Sequence, residues 1–130
     1  MQETAGSKEI NENLIAVKSF AFSLRIVEAY KVLQQKKEFV LSRQLLKSGT
    51  SIGANIQEAL GAYSKRDFAA KLGIAYKEAR ESDYWVRLLL ASGFITESEY
   101  TSLQLYLQEI LRILGAILST LRKSIYPRRR

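Results

Sequence analysis

The sequence predicts an all-α protein built as a four-helix bundle, and three observations carry that prediction. Apolar residues make up 47% of the 130 residues, which is enough to form the core of one domain. Proline occurs once, at Pro127, so no other position blocks a helix. Apolar residues recur at steps of three and four, whereas the Asn-Gly and Asp-Gly pairs that mark β-hairpins are absent from the sequence.

The first helix is predicted over about residues 11–35 and carries two apolar stripes on neighbouring faces. The first stripe alternates steps of four and three, as a heptad seam does, and consists of Ile10, Leu14, Val17, Ala21 and Leu24. The second stripe consists of Ile15, Phe22, Ile26, Ala29 and Leu33.

The second helix is predicted over about residues 38–60, with a seam formed by Leu45, Gly49, Ile52, Ile56 and Ala59. Gly49 and Gly53 lie one turn apart on one face, and each costs about 1 kcal/mol relative to alanine in a helix interior. We therefore expect another helix to approach the backbone closely here. The alternatives are a kinked or 3₁₀ segment around Gly49 and, more weakly, a phosphate-binding loop without the usual motif.

Two capping signals separate the last two helices. Ser64 and Asp67 open a helix over about residues 65–92, Gly93 follows it as a C-cap, and Thr96 with Glu99 opens a helix over about 97–125. The third seam is Phe68, Leu72, Ala75, Ala79, Ser82, Val86 and Leu89. The fourth is Leu103, Leu107, Ile110, Leu114, Ile117 and Leu121. The turns are short, which favours antiparallel neighbours in an up-down-up-down bundle over residues 1–126, with a basic tail at 127–130.

More apolar residues lie on these helices than one core stripe requires. Besides the second stripe of the first helix, the surplus residues are Ile74, Tyr84, Trp85, Leu88, Tyr106, Ile113 and Leu118. This surplus predicts a homo-oligomer in which helices pack between subunits. A wider core stripe within one subunit is the alternative.

The chain contains neither cysteine nor histidine, which excludes Cys/His zinc sites, imidazole bases and thiol nucleophiles. We expect no cofactor and no catalysis. The first residues form no apolar run and no stretch approaches the ~20 apolar residues of a membrane span, so a cytoplasmic protein is expected.

The formal net charge of +7 is unevenly distributed: residues 31–80 carry +6, residues 81–121 carry −3 and the last nine carry +5. This pattern favours an acidic partner such as RNA or DNA, although a basic surface also serves solubility alone. Tyr63 and Tyr126 stand beside basic residues, where an unpaired base can stack. The candidate phosphate-binding residues are Arg43, Lys47, Lys65, Arg66, Lys71, Arg128, Arg129 and Arg130.

Polar side chains follow one side of the second helix at Ser51, Asn55 and Glu58, and of the third at Glu78 and Glu81. We interpret them as a polar network that fixes the register of the two helices. A solvated face with ordinary i,i+4 pairs is the alternative. Paired glutamates also occur as acid/base catalysts, but nothing in the sequence supplies a nucleophile, a metal or a pocket for them.

Three pieces of sequence follow one another in order: SIGANIQEA at 51–59, SKRDF at 64–68 and AYKEARESDYW at 75–85. On these pieces the chain, from about Phe20 to Ile95, resembles the family named for the 23S ribosomal RNA intervening sequence. The resemblance implies a left-handed antiparallel four-helix bundle that assembles into a pentameric ring. A related bundle, the accessory protein of diversity-generating retroelements, works with a reverse transcriptase, so such a protein partner is also implied. The family has no established active site.

Together these observations predict a non-enzymatic oligomeric bundle that binds nucleic acid without sequence preference. The alternative is a protein-interaction scaffold with no nucleic-acid role. An enzyme would require a deep pocket lined by Glu58, Glu78 and Glu81.

Overall fold

The computed structural model describes residues 5–127, with side chains from Glu12 onward, as four α-helices. The helices are α1 (Ala5–Gln35), α2 (Leu41–Leu60), α3 (Lys65–Ala91) and α4 (Glu97–Ile125). Within this range there is no strand, which confirms the all-α prediction. None of the helices among residues 5–127 combines the length and the apolar composition that a membrane span requires.

The α1–α2 turn explains why α2 begins at Leu41 rather than at Glu38. At the end of α1, Lys37 adopts a left-handed φ of 61°, and the Glu38 N–H donates to the Leu33 carbonyl at 2.9 Å. The buried Glu38 side chain then accepts from the backbone N–H of Ser42 at 2.6 Å and of Val40 at 3.3 Å. Residues 38–40 therefore cap α2 instead of extending it.

The predicted caps of α3 and α4 are present. Ser64 accepts from the Asp67 N–H at 3.0 Å, and Thr96 and Glu99 form a reciprocal capping box. Gly93 has a φ of +81°, and the Phe94 N–H donates to the Leu89 carbonyl at 2.9 Å, which closes α3 in a Schellman motif. These local signals fix where α3 ends and α4 begins.

The core is lined by the predicted seams of α2 and α3, apart from half-buried Phe68, and by most of the α4 seam. On α4, Leu118 is buried and Ile117 is only partly buried, whereas the predicted seam contained Ile117 and not Leu118. The difference arises because the inward face of a straight helix drifts relative to a strict heptad repeat.

The larger correction concerns α1, whose heptad seam faces outward. The second stripe enters the core: Ile15, Phe22, Ile26 and Leu33 are at most 1% exposed. Leu14, Val17 and Leu24 of the heptad seam are 39%, 67% and 55% exposed, and Phe20 beside them is 67% exposed. Ile10 lies outside the described side chains. We call Leu14, Val17, Phe20 and Leu24 the α1 ridge.

Side-chain contacts fix how the helices lie against one another. Between α2 and α3, Ser82 meets Ser48 at 2.9 Å and Lys71 meets Glu58 at 3.2 Å, so residue numbers rise along α2 as they fall along α3. Gly49 lies against Ile26 of α1, where an added Cβ would be 2.8 Å from Cγ1. The close approach predicted at Gly49 is therefore present, and α1 makes it.

Candidate nucleic-acid interface

Basic side chains converge where α3 begins and α4 ends. Lys65 Nζ of α3 donates to Ser124 Oγ of α4 at 2.8 Å, and the Arg66 guanidinium lies 5.3 Å from the ring centroid of Tyr126. These two contacts join the first turn of α3 to the last turn of α4. We call this region the basic end; its described cations are Lys65, Arg66, Arg122 and Lys123.

The four cations of the basic end are exposed to solvent. None of them lies within 4 Å of a carboxylate among the side chains of residues 12–127. Two acids are near the basic end: Asp67 in the first turn of α3, and Glu12 of α1, which lines a cleft together with Lys65. Cations of this kind can contact phosphates without first breaking an internal ion pair.

The structure divides the predicted phosphate-binding residues into separate groups. Lys65 and Arg66 lie at the basic end, and Arg128, Arg129 and Arg130 fall outside the described residues. Arg43 and Lys47 lie in the first two turns of α2, and the helix from Arg43 to Leu60 is about 25 Å long. Lys71 forms an ion pair with Glu58. The full predicted set therefore does not form one patch.

Arg122 and Lys123 belong to the basic end, although the sequence analysis did not single them out as phosphate-binding candidates. The sequence could have indicated them, because both lie in the last turn of α4 and contribute to the +5 charge of the last nine residues. The pairing of that turn with Lys65 and Arg66 depends on the packing of α3 against α4.

Tyr63 stands in the turn that leads into the basic end, and its side chain is fully exposed. Tyr126 is also exposed, with Arg66 against its ring. Both tyrosines are thus available at the surface.

The polar residues of α2 and α3 are arranged differently from the predicted network. Asn55 Nδ2 donates to the Ser51 carbonyl of its own helix at 2.8 Å. Glu81 accepts from Trp85 Nε1 at 3.0 Å, also within one helix. Of the five predicted members, Glu58 reaches across to the other helix, through Lys71.

Glu78 is the predicted member with a perturbed ionisation. Partial burial and the neighbouring Glu81 carboxylate raise the pKa of Glu78, and Lys47 opposes that effect. Lys47 on α2 thus faces Glu78 on α3 closely enough to influence its charge. This links the two helices electrostatically without a hydrogen bond.

A shallow cleft of about 280 Å³ lies near the basic end, between the termini of the helices. Its walls are formed by Glu12, Ala59, Leu60, Ala62, Ser64, Lys65, Phe68 and Leu121. Glu58, Glu78 and Glu81 do not line this cleft, so it does not supply the glutamate-lined pocket that an enzyme of this kind would need.

Comparisons with known proteins place the chain among helical bundles. A family model described as "23S rRNA-intervening sequence protein" matches residues 11–116. A solved structure from Bacteroides thetaiotaomicron VPI-5482, a protein of unknown function from the S23 ribosomal protein family, is 46% identical and has a TM-score of 0.82. The match covers 84% of this chain and 98% of that one. No curated protein matches.

Proposed function

The chain belongs to the 23S rRNA-intervening sequence protein family, and from that premise we propose that it is a non-enzymatic, homo-oligomeric helical bundle that binds RNA or DNA through a basic surface. The family's name connects its members with ribosomal RNA, and the solved relative is described as a protein of unknown function. We place the protein in the cytoplasm, where it would meet nucleic acid.

The basic end is the observation that carries this proposal. Lys65 and Arg66 of α3 contact the end of α4, and the last turn of α4 carries Arg122 and Lys123. All four side chains are exposed, and a tail of three further arginines follows Pro127 in the sequence. Lysine and arginine neutralise phosphates and release counterions, so such a cluster binds nucleic acid with little dependence on base sequence. The remaining candidates, Arg43 and Lys47, would extend the contact along α2.

Binding measured against salt tests the proposal. We expect fluorescence anisotropy to show that the protein binds a labelled 20-nucleotide RNA or DNA at low salt. The logarithm of the binding constant should fall linearly with the logarithm of the salt concentration. A Lys65→Gln/Arg66→Gln variant should reduce the salt slope by about two. No binding at low salt, or an affinity indifferent to salt, contradicts the proposal.

A matched control comes from the same helix. Lys77 and Arg80 are exposed on α3, three to four turns beyond the basic end. A Lys77→Gln/Arg80→Gln variant makes the same charge change, and its salt slope should stay close to that of the unmodified protein. Equal losses from both pairs would show that net charge alone, and not the basic end, governs binding.

The α1 ridge supports the oligomeric part of the proposal. Its residues repeat at helical spacing and expose apolar surface that a second copy of the chain can cover. We propose a left-handed antiparallel bundle in each subunit and a closed ring of subunits. The family resemblance suggests five.

The same ridge favours a second candidate function, a protein-interaction scaffold with no nucleic-acid role. A partner protein, such as a reverse transcriptase, would then account for the exposed apolar residues. Pull-downs after nuclease treatment separate the candidates, because a scaffold keeps its partners and a nucleic-acid binder loses most of them.

A further inference from the structure

Resting on the proposed function, we infer that the basic end is a binding site for single-stranded nucleic acid, whose unpaired bases stack on Tyr63 and on the Arg66–Tyr126 pair. Phosphate contacts alone suit duplexes and single strands alike, whereas stacking on a surface side chain requires an unpaired base.

Tyr63 is the first stacking surface. The ring is fully exposed and lies in the short turn between α2 and α3, two residues before Lys65. A tyrosine that buries none of its ring contributes little to the core. Its position beside the exposed Lys65 and Arg66 instead brings an aromatic plane next to phosphate-binding groups.

The Arg66–Tyr126 pair is the second stacking surface. The guanidinium lies 5.3 Å from the ring centroid, within the range of a cation–π contact, and Tyr126 remains exposed. Arginine planes and aromatic rings both accept stacked bases. The contact also holds Arg66 beside the ring.

The two surfaces are close enough to act on one strand. Tyr63 and Arg66 are three residues apart, so their Cα atoms are at most about 11 Å apart. Lys65 lies between them and is joined to Ser124 of α4. Arg122 and Lys123 supply further positive charge along the same end.

Part of this site lies outside the region of the chain that the family model matches. The match ends at residue 116, whereas Arg122, Lys123, Ser124 and Tyr126 come after it. The site thus combines the α2–α3 turn, which lies inside the matched region, with a C-terminal segment that lies outside it.

Three labelled probes test the inference by anisotropy at low salt: oligo(dT) of 20 nucleotides, oligo(U) of the same length and a 20-base-pair DNA duplex. We expect Tyr63→Ala to weaken binding of the single strands roughly five- to hundredfold and to leave duplex binding unchanged. Tyr63→Phe, which keeps the ring, should retain the affinity. Tyr84→Ala, a half-exposed tyrosine in the second half of α3, is the matched control and should have no effect.

A second readout follows the stacking itself. In a Tyr63→Trp variant carrying Trp85→Phe, emission from the new indole should be quenched when either single strand binds. A loss of affinity for either single strand in the Tyr63→Ala variant supports the site, and the probe that binds more tightly shows which of the two strands the site prefers.

The outcomes separate this inference from the proposed function. If the protein binds none of the three probes, the proposed function itself fails. If it binds them and Tyr63→Ala binds single strands as tightly as the unmodified protein does, the stacking site is wrong and the phosphate-binding surface stands. Equal loss on single strands and duplex also overturns the stacking site.

Discussion

Ser82 on α3 donates a hydrogen bond to Ser48 on α2 at 2.9 Å, and both side chains are completely buried. The Ser48 hydroxyl in turn donates to the Leu45 carbonyl at 3.4 Å. The Ser82 hydroxyl thus finds its acceptor on Ser48, at a position where a larger side chain would hold the helices apart. The contact fixes the register of α2 against α3 through residues that the predicted polar network did not include.

Removing either hydroxyl should destabilise the bundle. Ser48→Ala leaves the Ser82 hydroxyl buried without its partner, and we expect a loss of about 1–2 kcal/mol in the free energy of unfolding. The double variant Ser48→Ala/Ser82→Ala should lose less than the sum of the single variants because neither hydroxyl is then orphaned. Urea unfolding measures all three, and strictly additive losses would contradict the coupling.

Two glycines in helices should respond to alanine in opposite directions. An added Cβ at Gly49 would meet Ile26 Cγ1 at 2.8 Å, so Gly49→Ala should cost about 1–2 kcal/mol despite the gain in helix propensity. At Gly73 no atom lies within 4 Å of an added Cβ, and Gly73→Ala should stabilise the protein by about 1 kcal/mol. If Gly49→Ala and Gly73→Ala shift the thermal or urea midpoint in the same direction, the predicted difference between the two positions is wrong.

The carboxylate of Glu38 should make the stability depend on pH. Burial alone would raise the pKa of Glu38, but the backbone N–H groups of residues 40–42 and the Ser42 hydroxyl together lower it. Since the folded pKa lies below the unfolded value of about 4.3, the contribution is complete above that value and is lost as pH falls through the folded pKa.

We therefore expect Glu38→Gln to cost about 1 kcal/mol at pH 7, and we expect this cost to vanish in acid. Urea midpoints between pH 7 and pH 3 measure it. Glu28→Gln, an exposed glutamate within α1 whose ion pair with Lys31 is also exposed, is the control and should change stability little. A Glu38→Gln penalty that stays constant with pH would show that shape, and not charge, matters.

Glu78 should behave in the opposite sense. Its pKa is raised, first by burial and then by Glu81, so the fold disfavours the carboxylate above the folded pKa. Glu78→Gln should raise the urea midpoint at pH 7, and the gain should shrink as pH falls through that pKa. In carboxyl NMR titrations, Glu81→Gln should lower the Glu78 pKa and Lys47→Gln should raise it further. Unchanged titration in both variants would contradict the assigned causes.

Charges placed on the α1 ridge should reduce the mass of the assembly. We expect Val17→Lys and Leu24→Lys each to shift the light-scattering mass toward the 14.8 kDa monomer, because each puts a cation into an apolar contact. Val40→Lys, at an equally exposed apolar position in the α1–α2 turn, is the control. A monomer mass for the unmodified protein at micromolar concentration would contradict the oligomer.

Much of the fold could be predicted from the sequence because its signals are local. Ser64, Gly93 and Thr96 mark helix ends through hydrogen bonds to residues three or four positions away. The seams of α2 and α3 follow from helical periodicity, since each helix has one dominant apolar face. The capping role of Glu38 was harder to predict, because a glutamate three residues before the first residue of a helix can equally extend the helix.

The candidate site was predictable in composition but not in arrangement. The basic residues and the two tyrosines could be found in the sequence. Their division into the basic end and the start of α2 depends on which helix ends meet, and the pairing of Arg66 with Tyr126 joins positions 60 residues apart.

By itself the sequence determined an all-α chain, the caps of its last two helices and an unusually close contact at Gly49. The tertiary structure decided that α1 makes that contact, that Ser48 meets Ser82, and that the heptad seam of α1 faces outward. The reason is that periodicity identifies apolar stripes but does not rank two stripes on one helix. The core volume left by α2, α3 and α4 accepts the stripe of Phe22 and Ile26, and leaves Val17 and Leu24 at the surface.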